Sequence, residues 1–598
     1  MSGNTVINEG DLVTYAIKVG GSSIPDQYPI YSLKITKTVN RISVASLVLL
    51  DGSPTDEDFE LSSSAYFIPG KEITIEVGYN NNNNLIFKGL ITKQNLRIDN
   101  DIGSALTVEC KDAAVKMTVG RKNACFVKLK DSEVMAKLIG NYGGLTAAVT
   151  PTTKILPQLV QNYSSDWDFM LSRAEVNSMI VSTINGKVSV FKPDADTASV
   201  LTIKYSENLY SFNADLNSLT QLKSVKASAW DYKKQQLVTG TASNTLSGPG
   251  NIKSKKLAEV VGLTEFELQT TAPQEADDLT SWAKAQMLKN EFAKITGEAR
   301  IQGSPLVEPG VYITLAGMGT RFNGDHLVSG VTHSIADGNW FTDVQLGLSP
   351  QWFVQEPEVM APTAAGLLPG IQGLYNATVK KIDADPDSVY RILINLPLLD
   401  PTGKGLWARL SSFYSTSGTG AFFLPEIGDE VIVGFLNEDP RYPIILGSLY
   451  STNRKPFSKL EPNAQNTHKA IVTKSELRIV FNDQDKVLTV TTPAGNIIEL
   501  DDKNKQIKAQ DQNGNSMVMS GTGIVIKSPK DISIEADQKV SIKGQMGVNV
   551  ASSAGDVSTS GLNIKESAQV EFNAKGSAMA TVQGGATLTL KAAMVMIN

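Results

Sequence analysis

Cysteine is nearly missing from this sequence: Cys110 and Cys125 are the only two in 598 residues. Two thiols cannot make a disulfide framework, so both read as reduced, and folding in a reducing cytoplasm is expected. No stretch of 18 apolar residues occurs, and Met1-Ser2-Gly3-Asn4-Thr5 has no basic region leading into an apolar core. Neither a membrane-spanning helix nor a Sec-type signal peptide is therefore expected. Dense basic runs are absent, and with a net charge of -6 and a pI near 5.5 the chain is not expected to bind DNA or RNA. Histidine is scarce too: His326, His333 and His468 have no cysteine or acid cluster beside them, so no metal site is expected. The sequence has no nucleophile elbow, HExxH helix, P-loop or dinucleotide fingerprint, so neither a cofactor nor a catalytic residue is expected.

What is present is a ruler. From Ile524 onward, two apolar residues flanking one other residue return every eight positions: Ile524-Val525-Ile526, Ile532-Ser533-Ile534, Val540-Ser541-Ile542 and Val548-Asn549-Val550. After an irregular patch at 556–560 the period resumes through Leu562, Val570, Ala578, Ala586 and Met594, giving nine repeats in all. Alternation over three residues puts the outer two on one face, so Ile524, Ile526, Ile532, Ile534, Val540, Ile542, Val548 and Val550 are the expected interior. The residues between them are turn formers such as Ser528-Pro529-Lys530-Asp531. Strands this short must stack to be stable, and a fixed period is the mark of a solenoid. One chain could wind alone, or three could intertwine into a triangular prism. The narrow interior, often only Ala or Val, favours the prism.

The chain is too long for a single core, and 41% hydrophobic with 19% charged residues is ordinary for globular domains. Residues 1–353 read as β-rich with inserted helices. Alternation marks strands at Tyr31–Thr36 and Ile73–Gly78, and the asparagines 80–84 mark a hairpin tip. A helix is expected near Asp131 with Val134, Leu138 and Ile139 on one face. Another should be capped by Ser165, with Trp167, Met170, Leu171 and Ala174 as its stripe. Asn185-Gly186 predicts a two-residue hairpin, and a third helix is expected from about Pro273 to Thr296. Residues 354–372, with Pro357, Pro362 and Pro369, read as an extended linker. Short strands across 373–452 predict a small barrel, a polar neck covers 453–486, and the needle takes 487–598. Asp383-Ala-Asp-Pro-Asp-Ser opens like a calcium loop, yet Ser388 stands where Gly is needed and Ile394 where Glu is needed, so a polar hairpin is expected.

The run Phe423-Leu-Pro-Glu-Ile-Gly-Asp-Glu-Val-Ile-Val-Gly-Phe435, followed by Asp439-Pro-Arg-Tyr-Pro-Ile-Ile-Leu-Gly-Ser-Leu-Tyr450, resembles the OB-fold of VgrG-type spikes and phage tail spikes. Asp166–Glu175, Phe322–His333 and Phe67–Ile73 resemble further motifs of that family, so the likeness runs over essentially the whole chain. It implies a mainly β homotrimer: a phage-hub-like N-terminal domain of β-barrels with inserted helices, an OB barrel and an intertwined triple-stranded β-helix. It further implies a spike of a contractile injection system, of the type VI secretion, extracellular phage-tail-like or phage kind. Such a spike is made in the bacterial cytoplasm and driven out of the cell or into a target on firing. Implied partners are the chain itself, inner-tube and baseplate proteins at the hub, a PAAR-like tip protein and effector cargo. The octads run on to Met594, Met596, Ile597 and Asn598, which are the expected landing surface for the tip protein. With only 453–486 between barrel and needle and two residues after Met596, no lysozyme or toxin domain is expected. The alternatives are a tail-spike hydrolase or depolymerase on a β-solenoid, against which Glu571 stands isolated without a carboxylate partner, and a trimeric adhesin, which would need an export signal.

Overall fold

The computed structural model describes residues 12–100, 103–194, 197–356, 359–460 and 462–597. Met1–Thr5, Pro357 and Asn598, which entered the sequence reading, lie outside these. The chain divides into two compact units, Met1–Ile427 with Val431–Gly447, and Gly428–Glu430 with Ser448–Asn598.

In the first unit the dominant element is a 13-stranded sheet. Its order starts at Leu209–Leu216, passes through Ile295–Gln302, Asn339–Leu346, Gly324–Ala336 and Ile30–Thr38, and ends at Val13–Val19 and Ser22–Ser23. A sheet this wide curls or splits. Here it serves two cores: Ile17, Leu33, Phe67, Ile75 and Trp340 pack in one, and Ile203, Ile301, Ile313, Val331 and Leu346 in the other. The hub region was expected to hold barrels, but among the described residues its strands form open sheets, because the two edge strands of the large sheet do not pair with each other.

Local chemistry explains the main turns and helices. Asn80 and Asn81 both take positive φ (53° and 67°), the primed turn that joins twisted strands, and so do Asn185 and Gly186 (54° and 82°). Helix Asp131–Gly140 buries Val134, Leu138 and Ile139. Helix Asp166–Val176 is capped by the Ser165 hydroxyl, which accepts from the Asp168 amide at 3.0 Å, and buries Trp167, Met170, Leu171 and Ala174. The third helix is shorter than expected, Ala276–Phe292. Ile295, Thr296 and Gly297 belong instead to a strand paired with Ala214, Asp215 and Leu216. β-branched residues suit that sheet. Gly297 is needed there because a Cβ would sit 2.3 Å from the Asn213 carbonyl oxygen.

The described residues of 354–372 make several contacts with residues of the first unit. Arg121 donates to the carbonyls of Val359 and Met360, Arg41 pairs with Glu356 at 2.9 Å, and the Ile371 amide reaches the Glu438 carbonyl at 2.8 Å. Next comes a closed five-stranded barrel in the order Tyr375–Lys381, Ile392–Asn395, Leu406–Leu410, Pro443–Leu449, Glu430–Phe435. Ala377, Val379, Ile394, Ala408, Val431, Val433 and Ile445 fill it.

In the second unit, residues 468–527 form a seven-stranded antiparallel meander of five-residue strands, from His468–Val472 to Gly523–Lys527. The expected neck therefore already contains strands His468–Val472 and Arg478–Asn482. Beyond Lys527 the described residues carry no strand.

Candidate functional site: the apolar spine of residues 468–597

The polar residues of the hub motifs act as ties. Asp166 is buried, which alone would raise its pKa; donors from Lys122 (2.7 Å), Tyr142 (2.6 Å) and Gln161 (2.9 Å) outweigh that and hold its carboxyl below the ordinary range. Arg173 grips Asp131 through two hydrogen bonds of 2.7 and 2.9 Å. Glu175 accepts from Lys289 at 2.5 Å and from the Phe353 amide at 2.8 Å, pinning the chain where it leaves the hub. His333 lies fully inside, its Nδ1 2.9 Å from the Thr342 hydroxyl and 3.4 Å from the Trp340 indole nitrogen. Burial, with Lys37 nearby, pushes its pKa down to about 3, so it stays neutral. His326 faces the Phe322 carbonyl at 2.7 Å, and His468 lies beside the Thr467 hydroxyl at 2.9 Å. No group of three or more His, Cys, Asp or Glu among the described residues could hold a metal ion. Cys110 is buried, its thiol pushed up to about 12 by burial with Glu109 adding to it, while Cys125 is exposed.

In the barrel, the calcium-like loop is closed by a cation of the chain itself. The Arg391 guanidinium reaches Asp385 at 2.7 and 3.0 Å, and the amides of Asp387, Val389 and Arg391 donate to the same carboxylate. The guanidinium first and those amides second hold Asp385 well below the usual carboxylate range. The strand starts only at Ile392, because Ser388 and Tyr390 carry the positive φ of the turn (55° and 62°). Asp439 is held in the same way by Arg441.

In the second unit, the register lines up like residues across the meander. Ile471, Ile479, Val490, Ile498, Ala509, Met517 and Ile526 are successive cross-strand partners, and so are Phe481, Leu488, Leu500, Ile507, Met519 and Ile524. Positions two apart share a face, so both rows lie on the same side. The other side mixes Arg478, Glu499, Asp501, Lys508 and Gln510 with Val480, Val487, Ile497 and Val518, and near its start the Phe457 ring lies 4.3 Å from the Arg478 guanidinium carbon. The apolar side is bare: Ile498 is 57% exposed and Ile507 44%.

The octads continue this exposure. Every described residue from 529 to 597 is exposed, including the expected interior residues Ile532 (54%), Ile534 (70%) and Ile542 (74%). Val540, Val548, Val550, Ile524 and Ile526 are exposed as well, and so are Met594, Met596 and Ile597 near the end of the chain. Inside one chain these side chains meet nothing that could bury them.

The family model described as the Alg8 N-terminal domain matches residues 9–337, more than half of the chain. A second, the type VI secretion system/phage-baseplate injector OB domain, matches residues 375–450, the stretch that forms the closed barrel. The chain belongs to the Alg8 N-terminal domain family and is VgrG-like. Among curated relatives of this VgrG-like chain, the type VI secretion system spike protein VgrG3 of Vibrio cholerae is 43% identical over 53 residues, 9% of this chain and 5% of that protein. The actin cross-linking toxin VgrG1 of Vibrio cholerae is 47% identical over 53 residues, again 9% and 5%. VgrG1a of Pseudomonas aeruginosa is 40% identical over 58 residues, 10% of this chain and 9% of that one. The chain thus aligns to less than a tenth of the length of each of these three. Among solved structures, the 43 kDa tail protein of prophage MuSo2 from Shewanella oneidensis has 10% identity and a TM-score of 0.44, covering 56% of this chain and 98% of its own. The Francisella PdpA-VgrG complex has 10% identity and a TM-score of 0.37, with 88% and 81% covered.

Proposed function

We propose that this chain is one third of a homotrimeric spike at the tip of the inner tube of a contractile injection system. In this reading residues 1–353 are the hub that meets tube and baseplate, 354–372 the linker, 373–452 the OB domain, 453–486 the neck and 487–598 the needle. The observation that carries it is the uninterrupted exposure of the octads. Beyond Lys527 the apolar pairs recur at a fixed period without a strand partner in their own chain among the described residues, and in this reading other copies supply the missing strands. A monomeric solenoid would bury Ile532, Ile534 and Ile542 within the chain, whereas each is more than half exposed.

VgrG-like spikes are structural proteins, and the reading needs no catalytic residue. Its work is mechanical: a prism whose strands all pair around an axis has no lateral edge to peel, so force along the axis loads every layer together. Exposed Met594, Met596 and Ile597, with Asn598, form the surface for a PAAR-like tip protein, and effector cargo travels with that end. Methionine suits a contact that adapts to its partner.

Light scattering of the purified full chain tests the reading. A mass three times that of the chain is expected, and a monomer at micromolar concentration would overturn it.

A further inference from the structure

We infer that the helix Ala276–Phe292 is a lever that couples a surface strap, residues 244–253, to Trp352 and Phe353, where the chain leaves the hub. Displacing the strap loosens the exit segment, and fixing the strap tightens the grip on it. The inference rests on the spike reading only for the partner that acts on the strap; the coupling itself lies within one chain.

Residues 244–253 carry neither strand nor helix, and Thr245, Ser247 and Gly248 are exposed. The strap is held through its backbone. Glu291, in the last turn of the helix, accepts from the Thr245 and Leu246 amides at 2.8 and 3.1 Å. Lys294, two residues past the helix, donates to the Ser247, Pro249 and Ile252 carbonyls at 2.9, 2.6 and 3.3 Å. Two glycines allow this approach. Gly248 (φ 59°) stands where a Cβ would come within 3.0 Å of Lys294 Nζ, and Gly250 (φ 79°) where one would lie 2.1 Å from the Arg321 carbonyl oxygen. A hollow of about 520 Å³ is lined by the strap together with Glu291, Lys294, Tyr312 and His326, so the strap borders open space rather than packed side chains.

The same end of the helix holds the exit segment. Trp352 Nε1 donates to Gln286 Oε1 at 2.5 Å, and Gln286 Nε2 donates to Asn290 Oδ1, four residues on, at 2.6 Å. Lys289 pairs with Glu175 at 2.5 Å and lies 5.6 Å from the centre of the Trp352 ring, while Glu175 accepts from the Phe353 amide at 2.8 Å. A second path starts just past the strap: Ser254 donates to Gln221 Oε1, and Gln221 Nε2 donates to the Asn290 carbonyl at 2.6 Å. Gln221, Ser254, Gln286, Asn290, Glu291 and Lys294 are all buried, and none of them holds a buried polar atom without a partner among the described residues.

That saturation is what transmits a displacement. Lifting the strap would leave the Glu291 carboxylate and the Lys294 ammonium buried and unpaired, a cost relieved when the last helical turn moves toward water. The turn carries Lys289 and Asn290, so its movement draws on Gln286, Trp352 and Glu175 through bonds already made. In the spike, a baseplate component seated on the exposed strap would set how firmly the hub holds the chain that continues into the barrel.

Hydrogen–deuterium exchange of the full chain, read by mass spectrometry over 244–253 and 351–356, tests the coupling in both directions. Lys294→Met, at the strap, should speed exchange of 351–356 roughly tenfold. Trp352→Phe, which removes one hydrogen bond at the exit, should speed exchange of 244–253 by a similar factor, because coupling between two sites is reciprocal. Strands Gly324–Ala336 and Asn339–Leu346 should exchange as before in both variants. Faster exchange confined to the substituted segment would overturn the inference, and so would a response in one direction alone. Where Lys294→Met speeds those strands as well, the milder Trp352→Phe decides by itself, an unchanged strap overturning the inference. None of these results bears on the spike reading, which stands or falls on the mass from light scattering.

Discussion

Gly303 stands where an added Cβ would lie 2.0 Å from Trp340 Cδ2, in a site closed by the Gly303 amide on the Trp340 carbonyl at 2.8 Å. Gly303→Ala should therefore destabilise the hub by about 1–3 kcal/mol, the usual range for overpacking, seen as a lower denaturant midpoint with an unchanged slope. The neighbouring His333 governs part of the pH response. Its folded pKa, about 3, lies below its ordinary 6.5, so between those values the unfolded chain binds a proton that the native chain refuses. Stability supplied by the neutral imidazole is present above pH 6.5 and is lost as pH falls toward 3, by up to about 1.4 kcal/mol per pH unit. Glu308, paired with Lys37 at 2.6 Å and raised by burial, works in the opposite direction above its own unfolded value. Comparison with His333→Asn isolates the histidine: the variant should melt lower at pH 7 and show a flatter decline between pH 6.5 and 3 by calorimetry.

At the scale of elements, the cap and the octads give sharp expectations. Ser165→Ala removes the acceptor of the Asp168 amide and should cost about 1 kcal/mol of hub stability in denaturant titration. Ile534→Asp would bring like charges together in the proposed interior and should lower the trimer's melting temperature sharply, whereas Ser533→Asp, on the other face, should leave it nearly unchanged. Equal melting of the two would put the octad register in error. Legibility in the sequence followed the range of the forces. Ser165, Asn185-Gly186 and the asparagines 80–84 act within a few residues, and their helix and turns lie where the residues alone place them. Ile295 and Thr296 read as helix because only pairing with a strand some 80 residues earlier makes them strand. The meander was hidden differently. Its strands recur every seven to ten residues, and its apolar rows become visible only once antiparallel register sets Ile498 beside Ala509 and Leu500 beside Ile507. Hub strands were legible one by one, but whether they close depends on edges far apart in the chain. The octads announce themselves because their period recurs on both sides of the irregular patch at 556–560, while the choice between one chain and three is not contained in the period.

For the whole molecule, the end of the spike yields a binding prediction. In the proposed spike, Met594→Asp with Met596→Asp should leave three copies by light scattering, since the earlier octads would carry the association, and should abolish binding of a PAAR-like tip protein in a pull-down. Undiminished binding would move the tip elsewhere. The order of segments along the chain has a further consequence for synthesis. Residues 468–527 leave the ribosome before 528–597, so the meander, whose strands pair within one chain, can form while the octads are still being made. A lone chain holds a long run of uncovered Ile and Val that proteases can cut and that other unfinished chains can join. Yield in the cell should therefore rise steeply with expression level, because in the proposed trimer encounter between copies competes directly with degradation.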